Sequence, residues 1–216
     1  MREATLKFIQ RNWTHLVHPF ALAPLALLIL DFFNDNLTAN PIQAATLRTG
    51  LPALVLLVLS LAATPLNTLF GWKRVLTLRR PLGLYAFLYA TIHMLIFFVV
   101  DYGLDVGLIW ETITEKPYVL VGLAAILLLL PLAITSTKGW QRRLGKRWKI
   151  LHRLVYIAAP LVVVHFVWLV KSDIREPLLY GAAVVLLLAL RLPIIRRLFR
   201  TRRRVDPATR PVENRT

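Results

Sequence analysis

The side chains best placed to do chemistry in this sequence are five histidines: His15, His18, His93, His152 and His165. His93 and His165 stand in unbroken apolar surroundings, "YATIHMLIFF" and "LVVVHFVWL". A polar side chain in such a run is costly to bury and tends to be functional. A single one could serve as a helix–helix hydrogen bond worth about 0.6 kcal/mol. Two at one depth suggest metal ligation, because haem iron accepts a neutral imidazole on each face.

Other chemistries are poorly served. There is no cysteine, which excludes disulfides, iron–sulfur clusters, thiolate zinc and covalent haem attachment. No GxGxxG, P-loop, serine–histidine–acid set or intramembrane carboxylate pair is present. The pattern fits carrying electrons better than making or breaking substrate bonds.

These histidines need elements to hold them. Hydrophobic residues make up 57% of the 216, against about 45–50% in ordinary soluble domains. A bilayer core requires about 20 apolar residues per helix. Six runs approach that length: 16–33, 47–70, 82–100, 118–134, 154–170 and 178–195. Their continuous Leu, Val, Ala and Ile content predicts helices rather than alternating strands. The expectation is an all-α, six-helix integral membrane bundle over 1–198, followed by a basic tail, 199–216. The basic N-terminus reads as the flank of an uncleaved first span. The sequence shows no internal repeat.

Charge orients the bundle. All but four of the 27 Lys and Arg residues fall on one side; the exceptions are Arg48, Lys116, Lys171 and Arg175. The positive-inside rule then places both termini and the loops around 73–80 and 138–153 in the cytoplasm. Acidic residues collect in the outer loops, notably "DYGLDVGLIWETITEKP". The tail favours anionic lipid, at about 1 kcal/mol per charge. No groove-reading module accompanies it, so nucleic acid is not expected as a partner.

Depth brings the two buried histidines together. His93 comes about 20 Å after Arg80 and His165 about 18 Å after Arg153, at the helical rise. The two helices run in the same direction, so both imidazoles fall at one level in the outer half of the bundle. The expectation is a b-type haem gripped by His93 and His165. His152 lies about 20 Å below His165 and is rotated from it by roughly 220°; Pro160 between them offers a kink. Its opposite number would be Arg79 or Arg80, which cannot ligate iron. His152 is thus open between a ligand of a second haem, paired with His15, His18 or nothing, and a structural or propionate-binding role. His15 and His18 read as interfacial. The basic block 138–153 resembles an amphipathic surface helix that sets topology or meets phosphates and propionates.

The runs "RRPLGLYAFLYATIHM", "TSTKGWQRRLGKRWKILHRLVY" and "LLLALRLP" resemble the MsrQ (YedZ) family. These are haem-binding membrane subunits of the bacterial periplasmic methionine sulfoxide reductase system, in the wider ferric-reductase-like group. The resemblance implies electrons taken from the quinone pool in the inner membrane. It implies b haem, one or two, with FMN as a further cofactor. It also implies a periplasmic molybdopterin partner, MsrP, that repairs oxidised proteins. The family's haem histidines correspond to His93, His152 and His165. The wider group has a second histidine on the third helix, where this sequence has arginine. The rival readings are a stand-alone ferric or quinone reductase of the same fold and a non-redox transporter or scaffold.

Overall fold

The computed structural model describes residues 14–170 and 173–192. Among the described residues every regular element is helical. They are α1 (Val17–Phe33), α2 (Pro41–Phe70), α3 (Val75–Leu95), α4 (Val106–Glu115) and α5 (Pro117–Ile134). Then come α6 (Lys138–Leu144), α7 (Lys146–Leu151), α8 (Val155–Leu169) and α9 (Arg175–Ala189). A π-helical segment, Ile96–Asp101, extends α3, and a 3₁₀ turn, His152–Leu154, leads into α8. Four stretches are long and apolar enough to cross a membrane: 41–70, 75–101, 117–134 and 146–169. The apolar α1 is 17 residues long. The sixth expected span, 178–195, runs past the described residues, as does the tail 199–216.

Two starts differ from expectation for reasons local to the backbone. α2 begins at Pro41, well ahead of its apolar run. The Asn40 side chain accepts the Gln43 N–H at 3.0 Å, and proline at N1 loses no hydrogen bond there. α3 begins at Val75 because its charged first turns remain helical through Pro81. The block 138–151 forms two short helices, not one, broken at Gly145, whose φ is +50°.

The most extensive packing joins α2 to α3 and, next, α5 to α8. Within the first pair Ser60 Oγ donates to the Arg79 carbonyl at 2.8 Å. It lies against Gly83, where a Cβ would stand 3.3 Å from it. Small residues let membrane helices approach closely in this way.

One proline leaves a carbonyl that a side chain from elsewhere in the chain takes. Pro65 cannot bond the Leu61 carbonyl. Arg191 Nη2 donates to that oxygen at 2.5 Å, and its Nη1 donates to Tyr156 Oη at 3.0 Å. In α1, which contains Pro24, the wholly buried Tyr89 hydroxyl enters the ladder itself. It donates to the Ala21 carbonyl at 2.8 Å and accepts from the Leu25 N–H at 3.0 Å. Those two groups would otherwise bond each other, and an inserted side chain of this kind is a recognised cause of a bend. Tyr89→Phe is therefore expected to destabilise the α1–α3 contact by about 1–2 kcal/mol. Denaturant unfolding in detergent micelles measures it, and an unchanged midpoint would refute the role of the hydroxyl.

A candidate two-histidine centre

His93 sits near the end of α3, just before the π-helical segment, and His165 sits in α8. Their ring centroids are 6.2 Å apart and their planes are perpendicular, at 88°. Each ring is fixed from behind by a backbone carbonyl. His93 Nδ1 bonds the Thr46 oxygen at 2.9 Å, and His165 Nδ1 bonds the Tyr118 oxygen at 2.7 Å. A carbonyl can only accept, so Nδ1 carries the hydrogen in both rings. Nε2 then keeps its lone pair, the state in which imidazole ligates a metal.

Each ring also lies against a glycine on the opposing helix. A Cβ at Gly50 would come within 3.1 Å of His93, and one at Gly122 within 2.6 Å of His165 Nδ1. The two half-sites repeat one design. In each, the histidine follows its carbonyl partner by 47 positions, and the glycine comes one helical turn after that partner. Thr46, Gly50 and His93 on α2 and α3 correspond to Tyr118, Gly122 and His165 on α5 and α8. The repetition lies in geometry that the side-chain sequence conceals.

The separation suits one metal between two rings. A ligating imidazole nitrogen lies about 2 Å from the metal and roughly 1 Å from its own ring centre, so opposed rings stand about 6 Å apart. A bare structural ion generally takes about four protein ligands. Among the described residues no group of three or more His, Cys, Asp or Glu converges. A porphyrin brings four in-plane nitrogens and needs only the axial pair. The residues present therefore fit a metalloporphyrin better than a free ion.

The remaining histidines lie elsewhere. His152 opens the 3₁₀ turn and stacks on Trp148, with centroids 3.9 Å apart. Its Nδ1 bonds the Trp148 carbonyl at 3.1 Å. The Trp148 indole in turn donates to the Thr135 carbonyl at the end of α5, at 2.9 Å. The charge of Arg79 reaches His152. The same shift along the chain that carries His93 to His165 carries Arg80 to His152. At that offset the counterpart of His152 is arginine, not a second histidine. Helical phase between His152 and His165 is altered by the 3₁₀ turn, in addition to Pro160 in α8. His18 Nδ1 pairs with Tyr85 Oη at 2.8 Å, and His15 stands 6.1 Å from His18, ring centre to ring centre. Among the described residues no ring contact joins either of them to His152.

Known proteins carry related sequences. A family model described as ferric reductase like transmembrane component matches residues 48–163. The protein-methionine-sulfoxide reductase heme-binding subunit MsrQ of Xanthomonas axonopodis pv. citri is 50% identical over 182 residues. That alignment covers 82% of this chain and 84% of the relative. This chain belongs to the MsrQ family, within the ferric-reductase-like transmembrane group. The MsrQ protein of Rhodospirillum rubrum is 49% identical over 178 residues, covering 82% of this chain and 86% of its own length. Both MsrQ alignments span far more than the two-histidine centre. Thr46, Tyr118, Gly50 and Gly122 were not singled out from sequence. The one available signal was a glycine at equal distance ahead of each core histidine.

Proposed function

We propose that this chain is a membrane b-type cytochrome that passes electrons from the quinone pool to a periplasmic methionine sulfoxide reductase. Support comes from the neighbouring His93 and His165 rings, with centroids 6.2 Å apart, and from relatives named as the haem-binding subunits of such a system. Bound between the rings, haem b would supply a one-electron iron couple.

The chain's own residues have separable tasks. His93 and His165 would hold the iron through Nε2. The Thr46 and Tyr118 carbonyls fix the tautomer and aim the rings, as groups behind a ligand do. Gly50 and Gly122 give the rings room against the opposing helices. Tyr118 lies in the first turn of α5, so the centre is close to one end of the helices. In the proposed orientation, with six spans and both termini in the cytoplasm of an inner-membrane protein, that end is the periplasmic one. The acidic 101–117 connection there would face the MsrP-type partner.

His152 is proposed as a structural or propionate-side group near the cytoplasmic end, where Arg79 adds positive charge. If a second haem binds, His152 is its ligand from α8's side. The FMN implied by the resemblance finds basic side chains at Arg142, Arg143 and Lys146. No Gly-rich nucleotide fingerprint accompanies them in the sequence, so no step is assigned to it. Anionic lipids are proposed as partners of the basic tail.

A pyridine haemochrome assay normalised to protein tests the reading. It is expected to return b haem at one or two per chain. A purified chain that never takes up haem would end it. His18→Ala is expected to keep full haem content, since His18 bonds Tyr85 and lies outside the two-histidine centre; loss there would move the site.

A further inference from the structure

α4 lies inside the acidic connection proposed to face the partner, and its apolar edge has no part in that docking. It begins just after the turn 102–105, where Asp105 caps it by accepting the Leu108 N–H at 3.1 Å. Only Lys116 separates it from α5. The helix packs against α5, burying Thr112, whose hydroxyl donates to Tyr102 Oη at 3.1 Å. Ile109 and Ile113 are half-buried on the same side.

The rest of its surface is divided. Val106 and Trp110, one turn apart, are 78% and 69% exposed. Glu111 and Glu115, also one turn apart, occupy a different edge and are exposed, with the exposed Leu108 beside them. An apolar strip ending in tryptophan, set beside an acidic strip, suits a helix lying flat at a membrane boundary. Covalent geometry supports the same location. Both ends of α4 are tied within a few residues to membrane-length helices, so it cannot leave the boundary. The chain on either side of it carries exposed apolar residues as well, Val99 and Val100 before it and Leu120 after.

We infer that the Val106–Trp110 edge of α4 lies among phospholipid headgroups and upper acyl chains, holding Glu111 and Glu115 toward water. The inference rests on the membrane-spanning reading of α3 and α5. A protein partner seated on Trp110 is the competing occupant. It is disfavoured because α4 is tied at both ends, within a few residues, to the proposed spans, which holds this edge at the lipid boundary.

The natural absence of cysteine makes the test clean. Single variants Val106→Cys, Trp110→Cys, Glu111→Cys, Glu115→Cys and, as a mid-span control on an exposed position, Leu127→Cys are nitroxide-labelled. Each full-length protein is reconstituted in phosphatidylethanolamine–phosphatidylglycerol bilayers. Accessibility to oxygen, which partitions into lipid, is compared with accessibility to a water-soluble nickel chelate. Oxygen is expected to exceed nickel severalfold at 106, 110 and 127, with the reverse at 111 and 115. Equal nickel accessibility at 110 and 111, with 127 still lipid-exposed, would overturn this inference alone. So would a label at 110 that is open to nickel until a soluble protein covers it. Nickel access at 127 would overturn the membrane reading along with it.

Discussion

Alanine in place of His165 is expected to leave a folded protein that holds almost no haem. The imidazole donates to the Tyr118 carbonyl at 2.7 Å and stands 6.2 Å from the His93 ring, so its loss would remove one of the two groups proposed to hold the haem. Removing groups merely behind a ligand typically costs about 10–100-fold in metal affinity; loss of the ligand itself should exceed that. His93→Ala should behave alike, and the double variant should lose little more, because one vacancy already breaks the clamp. The readout is the reduced alpha band per mole of protein, with chromatographic elution volume and helical circular dichroism as checks on folding. Added imidazole should restore part of the band by entering the space the side chain left. Retention of full haem in both single variants would refute the ligand assignment.

Gly122→Ala is expected to damage the same centre without touching a ligand. The new Cβ would fall 2.6 Å from His165 Nδ1 and 2.8 Å from its Cε1, closer than atoms pack. The ring must turn away, which breaks its bond to Tyr118 and misdirects Nε2. Affinity for haem should fall by about 10–100-fold, the range seen when ligand orientation is lost. The electron paramagnetic resonance signature of two mutually perpendicular imidazoles should shift or split. Instability of the helix cannot explain such a result, since alanine is favoured over glycine in a helix by about 1 kcal/mol. Gly50→Ala should be milder, its contact being 3.1 Å. Gly181→Ala meets only a Val163 methyl, at 3.2 Å, and should leave the spectrum unchanged. A native signature in Gly122→Ala would mean that His165 does not lie against this glycine.

These two variants also mark what the sequence could and could not reveal. His93 and His165 were legible because lipid penalises polar side chains, so a histidine in a run of Leu and Val stands out. The apolar runs were legible for the same reason, whereas the start of α2 was not. The residues Pro41 to Thr46 are not an apolar run, and only the Asn40 cap and the proline reveal a helix there. α4 was read as an acidic loop because its ten residues are too few for a span and its helical pattern is short. Thr46 and Tyr118 contribute backbone oxygens, which leave no side-chain trace. The two glycines act by what they lack. Their role emerges only when α2 is laid beside α3 and α5 beside α8.

The doubled construction has a mechanical consequence. Packing is extensive inside each helix hairpin, α2 with α3 and α5 with α8, and much sparser between the two hairpins. Each hairpin carries a single jaw. A prosthetic group caught by both jaws would act as a rivet through the molecule, adding its binding free energy to a joint that side chains fasten sparsely, the Arg191 link from Leu61 to Tyr156 among them. Empty protein should therefore part along this seam before either hairpin melts.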